Sequence, residues 1–156
     1  MVEIVEARSL GVPASVVWAE LADFDGIGRW APNVDHSCLT TSTADGVGVT
    51  RRIQTGRNTV LETVTDWEPE LRLAYSVTGL PPVIRSVTNT WRLAGRDGTT
   101  GGTTEVTLTS SIDTGPRPPQ QVVAQIVGRV LAKASRQMLD GLDRRLQDQQ
   151  LEKDAS

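Results

Sequence analysis

The sequence is poor in cysteine, histidine and aromatic residues, and each shortage excludes a class of site. A single cysteine, Cys38, excludes an internal disulfide and any zinc or iron–sulfur site built from several cysteines. A single histidine, His36, excludes a metal site with two histidines. The chain also lacks a run of about 18 apolar residues, the minimum for a membrane-spanning helix. Its charged first segment, Met1–Leu10, is unlike a signal peptide. We therefore expect no metal or other cofactor, no membrane insertion and a cytoplasmic location.

Length and charge limit the number of domains and the kind of partner. The 156 residues fit one domain, because domains average roughly 100–200 residues. Nineteen acidic residues outnumber sixteen Lys and Arg, and the net charge of −3 has the wrong sign for general affinity to nucleic acid. We predict a single domain over residues 1–150, a disordered tail at 151–156, and a monomer or homodimer.

The pattern along the chain predicts one strand, a pair of short helices, six strands and one long helix. Val2–Ala7 is β-prone, and Pro13 opens a helix with apolar residues at helical spacing. After Pro32, turn residues separate six short segments, and such short connections favour antiparallel pairing. These segments are Val34–Leu39, Val47–Thr55, Thr59–Trp67, Leu71–Thr78, Ile84–Leu93 and Thr104–Asp113. The proline-free stretch from Gln120 to Gln147 carries an apolar stripe and predicts a helix of about 28 residues.

These elements predict an α+β fold in which a curved antiparallel sheet of seven strands wraps around the C-terminal helix. Such an arrangement leaves a cavity between sheet and helix. Alternation along the strands then indicates which side chains face inward. Val60 and Val64 place Glu62 inward between them, and the preceding strand turns Arg51 and Ile53 to the same side.

Two further strands and the long helix supply other inward candidates. Tyr75 belongs to the inner set of its strand, and Leu108 and Ser110 alternate on one face of the last strand. On the long helix, Val127 and Leu131 lie on the apolar stripe. For Val34–Leu39 the phase is ambiguous, and we expect the set with His36 and Cys38 to face inward.

Several segments taken in order resemble the START-related superfamily (SRPBCC). They are Val12–Trp18 at the start of the first helix, Leu21–Phe24 and Arg29–Pro32 after it, Val47–Arg51 in a hairpin, and Leu61–Asp66 with Leu73–Tyr75. This superfamily includes birch-pollen allergens, plant abscisic acid receptors, bacterial aromatase/cyclases and many bacterial polyketide cyclase/dehydrase-like proteins. The resemblance covers essentially the whole chain. It implies the helix-grip fold, with two short helices after the first strand and a ligand cavity under the long helix.

The resemblance also completes the set of candidate residues. It favours Ser86 and Thr88 as inward residues of their strand, whereas the opposite phase would bring Val87 and Trp91 inward. It implies that the turns at 56–58 and 79–82 flank the entrance of the cavity. The candidate ligand-binding residues are Trp30, His36, Arg51, Ile53, Glu62, Tyr75, Ser86, Thr88, Leu108, Ser110, Val127 and Leu131.

Three of these residues carry chemistry, and each has two interpretations. Glu62 needs a partner or a neutral state, so it either lines the ligand cavity, as the matching glutamate of abscisic acid receptors does, or forms a salt bridge with Arg51. The guanidinium of Arg51 suits an oxyanion ligand, or it extends out of the cavity mouth. His36 is either a general acid–base group or a hydrogen-bonded wall residue.

The sequence therefore supports three functional hypotheses. The first is a carrier or binding protein for one hydrophobic or aromatic small molecule, polyketide-like or lipid-like. The alternative is an aromatase/cyclase acting on a poly-β-keto intermediate, in which Glu62 or His36 transfers protons, Arg51 stabilises the oxyanion and Tyr75 orients the substrate. The third is an interaction module whose contact surface includes Pro81 and Pro82, by analogy with the plant receptors.

Overall fold

The computed structural model describes residues 1–96, 102–115 and 118–155, without the side chains of 118–121 and 124. Ser156, the last residue of the predicted tail at 151–156, lies outside the described residues. The elements in chain order are β1 (Val2–Leu10), α1 (Ala14–Ala22), a 3₁₀ helix (Phe24–Arg29), β2 (His36–Leu39), β3 (Thr50–Thr55), β4 (Asn58–Glu68), β5 (Arg72–Thr78), β6 (Ser86–Arg96), β7 (Thr103–Asp113) and α2 (Pro118–Ala155).

All seven strands join one antiparallel sheet in the order β1-β7-β6-β5-β4-β3-β2. From β2 to β7, each strand pairs in the sheet with the strand that follows it in the sequence, as their short connecting turns predict. The two short helices carry the chain from β1 at one edge of the sheet to β2 at the other. The predicted helix-grip fold, a curved sheet around a long C-terminal helix, is confirmed.

Helix α2 has 38 residues and is longer than the sequence pattern predicts. It continues through Ala155, so the prediction of a disordered tail is wrong for 151–155, which are helical and exposed. The physical reason is composition, because residues 143–155 contain no proline or glycine and are mostly good helix formers. Among the described residues, no helix combines the length and the apolar character needed to span a membrane.

Contacts with β1 set the position of α2 over the sheet. Arg8 pairs with Asp140, and Arg136 donates a hydrogen bond of 2.9 Å to Glu6. A Cβ atom built on Gly128 would lie 3.3 Å from the Cδ1 atom of Ile4, so this glycine faces β1. Gly128 therefore allows α2 to lie close to β1.

The two halves of α2 have different surroundings. Its second half packs into the hydrophobic core through Met138, Leu139, Leu142 and Leu146, all less than 9% exposed. Its first half covers a part of the sheet where the core does not fill the space between the two layers. The candidate site lies under this first half.

Candidate functional site

A cavity of about 180 Å³ separates the inner face of the sheet from the first half of α2. It is smaller than the roughly 300–1,000 Å³ of pockets for drug-sized ligands. It exceeds the volume of about 150 Å³ that is known to hold benzene. The lining residues are Ile27, Asn33, Val34, Ile53, Thr55, Val60, Glu62, Val77, Leu80, Ile84, Val87, Asn89, Val127, Leu131, Ala134 and Met138.

The walls follow from the two periodicities of the chain. On α2 the lining residues recur at intervals of three and four, and therefore occupy one helix face: Val127, Leu131, Ala134 and Met138. On β3 and β4, alternate residues point inward, and the predicted inner positions of Ile53, Val60 and Glu62 are confirmed. Exposed Thr55 and half-buried Leu80 mark the side where the cavity meets solvent.

Arg51 and Glu62 form a buried ion pair behind the cavity wall. They occupy paired positions of β3 and β4 and are 2% and 8% exposed. Nε of Arg51 donates to Oε2 of Glu62 at 2.6 Å, and Nη2 lies 2.5 Å from the same oxygen. Nη1 donates to the backbone carbonyl of Phe24 at 2.6 Å. The salt bridge that the sequence offered as one interpretation of Glu62 is therefore present.

Two aromatic rings enclose the guanidinium of Arg51. Its Cζ atom lies 3.7 Å from the ring centroid of Phe24 and 4.8 Å from that of Tyr75, close enough for cation–π attraction. Arg51 does not belong to the cavity lining, whereas Glu62 does. The inward orientation predicted for Arg51 is correct, but its charge is held by Glu62, Phe24 and Tyr75 instead of facing the cavity.

Tyr75 is the centre of a buried polar network. Its hydroxyl accepts a hydrogen bond of 3.2 Å from Nε1 of Trp91 and is also bonded to the side chain of Asn89. The Oδ1 atom of Asn89 accepts a hydrogen bond of 2.6 Å from the hydroxyl of Ser110. Of these four residues only Asn89 lines the cavity. Burial of the phenol, reinforced by the negative charge of Glu62, raises the pKa of Tyr75 from 10.0 to about 12.

This raised pKa predicts a loss of stability in strong alkali. The unfolded chain releases the Tyr75 proton near pH 10, whereas the folded chain keeps it until about pH 12. The raised pKa therefore leaves the stability of the folded state unaffected below pH 10, and it lowers that stability as the pH rises from 10 to 12, because the unfolded chain alone gains free energy by releasing this proton. Because Tyr75 is the only tyrosine, the ultraviolet absorbance of tyrosinate reports it alone. We expect a midpoint near 12 in the folded protein, and a midpoint near 10 would contradict the buried network. Tyr75→Phe should remove the absorbance change, which checks its assignment.

The predicted orientation of His36 is wrong. His36 and Cys38 are exposed on the edge strand β2, whereas Ser37 and Leu39 are half-buried. The error comes from Val34, which is buried but precedes the strand, so the alternation of the strand does not extend back to it. His36 lies away from the cavity lining.

The phase predicted for β6 is also wrong. Ser86 is exposed and Thr88 is only half-buried, whereas Val87, Asn89 and Trp91 are buried on the inner face. The large apolar residues of this strand decide its orientation, because their burial stabilises the fold more than burial of hydroxyls.

The remaining candidates divide between core and cavity. Trp30, Leu108 and Ser110 are buried but do not line the cavity, and Trp30 packs edge-on against Trp91 at 5.9 Å between ring centroids. Val127 and Leu131 do line it. Sequence reasoning missed Asn33 and Asn89: the correct phase of β6 would have identified Asn89, but Asn33 lies in an irregular turn with no periodic signal.

As far as the structure describes the chain, the lining contains one ionisable side chain, Glu62, and three neutral polar ones, Asn33, Thr55 and Asn89. Within the described part of the chain, no three His, Cys, Asp or Glu side chains are grouped as metal ligands. The arrangement suits an uncharged apolar molecule with one or two polar atoms.

Comparison with known proteins agrees with this architecture. Residues 1–147 match the model of a protein family described as polyketide cyclase / dehydrase and lipid transport. Among solved structures, the aromatase/cyclase Zhui from Streptomyces superposes with a TM-score of 0.75 at 18% identity, covering 94% of this chain and 93% of its own. A START superfamily protein from Mycobacterium smegmatis superposes with a TM-score of 0.69 at 9% identity, covering 94% of this chain and 97% of its own.

A third similar structure is that of a di-domain protein. The di-domain aromatase/cyclase BexL superposes with a TM-score of 0.74 at 17% identity, over 94% of this chain and 47% of its own. At these identities the likeness is one of fold. No curated protein matches the sequence.

Proposed function

The chain belongs to the polyketide cyclase/dehydrase and lipid transport family, within the START-related superfamily, and on this premise we propose that it binds one small apolar or aromatic molecule under α2 as a binding or carrier protein. The observation that carries the proposal is the cavity of about 180 Å³ with a mainly aliphatic wall. Its volume suits a single substituted ring. The predicted contact residues Ile53, Glu62, Val127 and Leu131 all belong to this wall. We further propose a cytoplasmic protein that acts as a monomer or homodimer.

Native mass spectrometry of the purified protein, followed by denaturing release, tests this proposal. We expect one adduct per chain, and the released molecule should be small and apolar. Ala134→Phe places a ring in the cavity from the face of α2 and should abolish the adduct. Val130→Phe is the matched control, because Val130 is 64% exposed and the same ring then points to solvent. An adduct that persists in the Ala134→Phe variant would contradict binding in this cavity.

Cyclisation of a poly-β-keto intermediate is the second candidate. One observation favours it: among the described residues, the carboxylate of Glu62 is the only ionisable group of the lining, so it is the group we assign to proton transfer. His36 is exposed on β2, and Arg51 would act only through Glu62. Release of a ring-closed aromatic product in the same mass-spectrometry experiment would favour this candidate over a carrier.

A further inference from the structure

The polar groups of the cavity differ from those expected for an anionic ligand. The cation bound to the lining carboxylate, Arg51, itself lies outside the lining and is held by Glu62, by the carbonyl of Phe24 and by two aromatic faces. Among the described residues, the cavity wall therefore carries a carboxylate and no positively charged side chain. A carboxylate or phosphate ligand would lose its hydration there without gaining a partner of opposite charge.

Two acceptor atoms in the same wall lack donors. Both contacts with Arg51 reach Oε2 of Glu62, and no donor among the described residues is hydrogen-bonded to Oε1. Oδ1 of Asn33 is buried and has no hydrogen-bond partner. The other asparagine of the lining, Asn89, is already bonded to Ser110 and Tyr75. The Asn33 acceptor is buried and costly without a donor, and Oε1 of the charged Glu62 can accept a further hydrogen bond, so a ligand that supplies a donor gains affinity.

We infer that the ligand is a neutral phenol or enol of about one ring, whose hydroxyl donates a hydrogen bond to Glu62 or Asn33, and that carboxylates are rejected. This rests on the proposed function, since it names the class of molecule for the same cavity. A neutral donor is favoured over a cation because Glu62 is already balanced by Arg51, and a further positive charge would be buried among aliphatic side chains.

Isothermal titration of the purified protein with three matched probes tests the inference. The probes are para-cresol, toluene and para-toluate, which share one methylated ring and differ in the second substituent. We expect para-cresol to bind at least about tenfold more tightly than toluene, because a hydrogen bond to a charged acceptor is worth that factor. We expect no detectable binding of para-toluate.

Each outcome is decisive. Equal affinity for para-cresol and toluene, or tighter binding of para-toluate, overturns the inference and leaves the proposed binding function standing. Absence of binding by all three probes overturns both. Loss of para-cresol binding in the Ala134→Phe variant, with retention in the Val130→Phe variant, assigns the heat signal to the cavity.

A variant identifies the contribution of the second acceptor. Asn33→Leu keeps the size of the side chain and removes its oxygen, so we expect roughly two- to tenfold weaker binding of para-cresol and unchanged binding of toluene. Gln150→Leu, at an exposed position near the C-terminal end of α2 and outside the lining, is the control and should change neither. Equal losses for both probes would assign Asn33 to cavity shape instead of hydrogen bonding. The three-probe comparison on the unmodified protein decides the main inference even where the Asn33 variant fails to fold.

Discussion

Replacing Arg51 with methionine is expected to lower the free energy of unfolding by about 3–5 kcal/mol, because Glu62 is left buried without its countercharge. The substitution also leaves the carbonyl of Phe24 without the donor it now has at 2.6 Å. Urea denaturation measures the loss. The matched control is Arg29→Met, since Arg29 pairs with Asp23 at the same 2.6 Å but is 61% exposed. Exposed pairs contribute about 0–1 kcal/mol, so the control should change little.

A double variant separates the ion pair from the rest of the site. Arg51→Met combined with Glu62→Leu removes both charges, and replacing a buried pair by apolar residues is often neutral or stabilising. We therefore expect the double variant to recover most of the stability that Arg51→Met loses. Recovery would mean that the pair is dispensable for folding and that ligand binding can be measured without it. A loss below about 1 kcal/mol for Arg51→Met alone would contradict the buried pair.

Gly141→Ala is expected to destabilise the protein by about 3 kcal/mol or more, because the added methyl group has no space. A Cβ atom at this position would overlap the backbone carbonyl of Trp30 and lie 2.8 Å from Cδ of Pro32. Overpacking costs about 1–3 kcal/mol where side chains can move, and here the obstacle includes backbone. Thermal and urea denaturation measure the effect.

Gly128→Ala is the control for this prediction. Gly128 lies in the same helix, and its added methyl group would meet the end of the flexible Ile4 side chain at 3.3 Å. Alanine is favoured over glycine in a helix by about 1 kcal/mol, so this variant should be neutral or slightly more stable. Equal stability of Gly141→Ala and the unmodified protein would show that α2 lies farther from the segment after the 3₁₀ helix.

The accuracy of the predicted orientations depended on the length and patterning of each strand. In β4, an 11-residue strand, Val60 and Val64 define the inner face without ambiguity, and Glu62 follows from them. In the four-residue edge strand β2 there are too few positions to define a phase. In β6, the hydroxyl residues Ser86, Thr88 and Thr90 alternate with Val87, Asn89 and Trp91, and carrying over the family position selected the hydroxyl set against the burial of Trp91.

The order of elements, the antiparallel sheet, the long helix and the shared inner face of Arg51 and Glu62 all follow from the amino-acid sequence. These properties depend on local periodicity, turn residues and short connections, which a linear pattern records. The tertiary packing, in contrast, sets which inward residues line the cavity and which are buried in the core. That division depends on where α2 crosses the sheet, which is set jointly by the contacts of α2 with β1 and by the close approach of Gly141 to Trp30, more than 100 residues earlier. It also depends on Phe24, which approaches Arg51 from outside the sheet and removes its charge from the cavity.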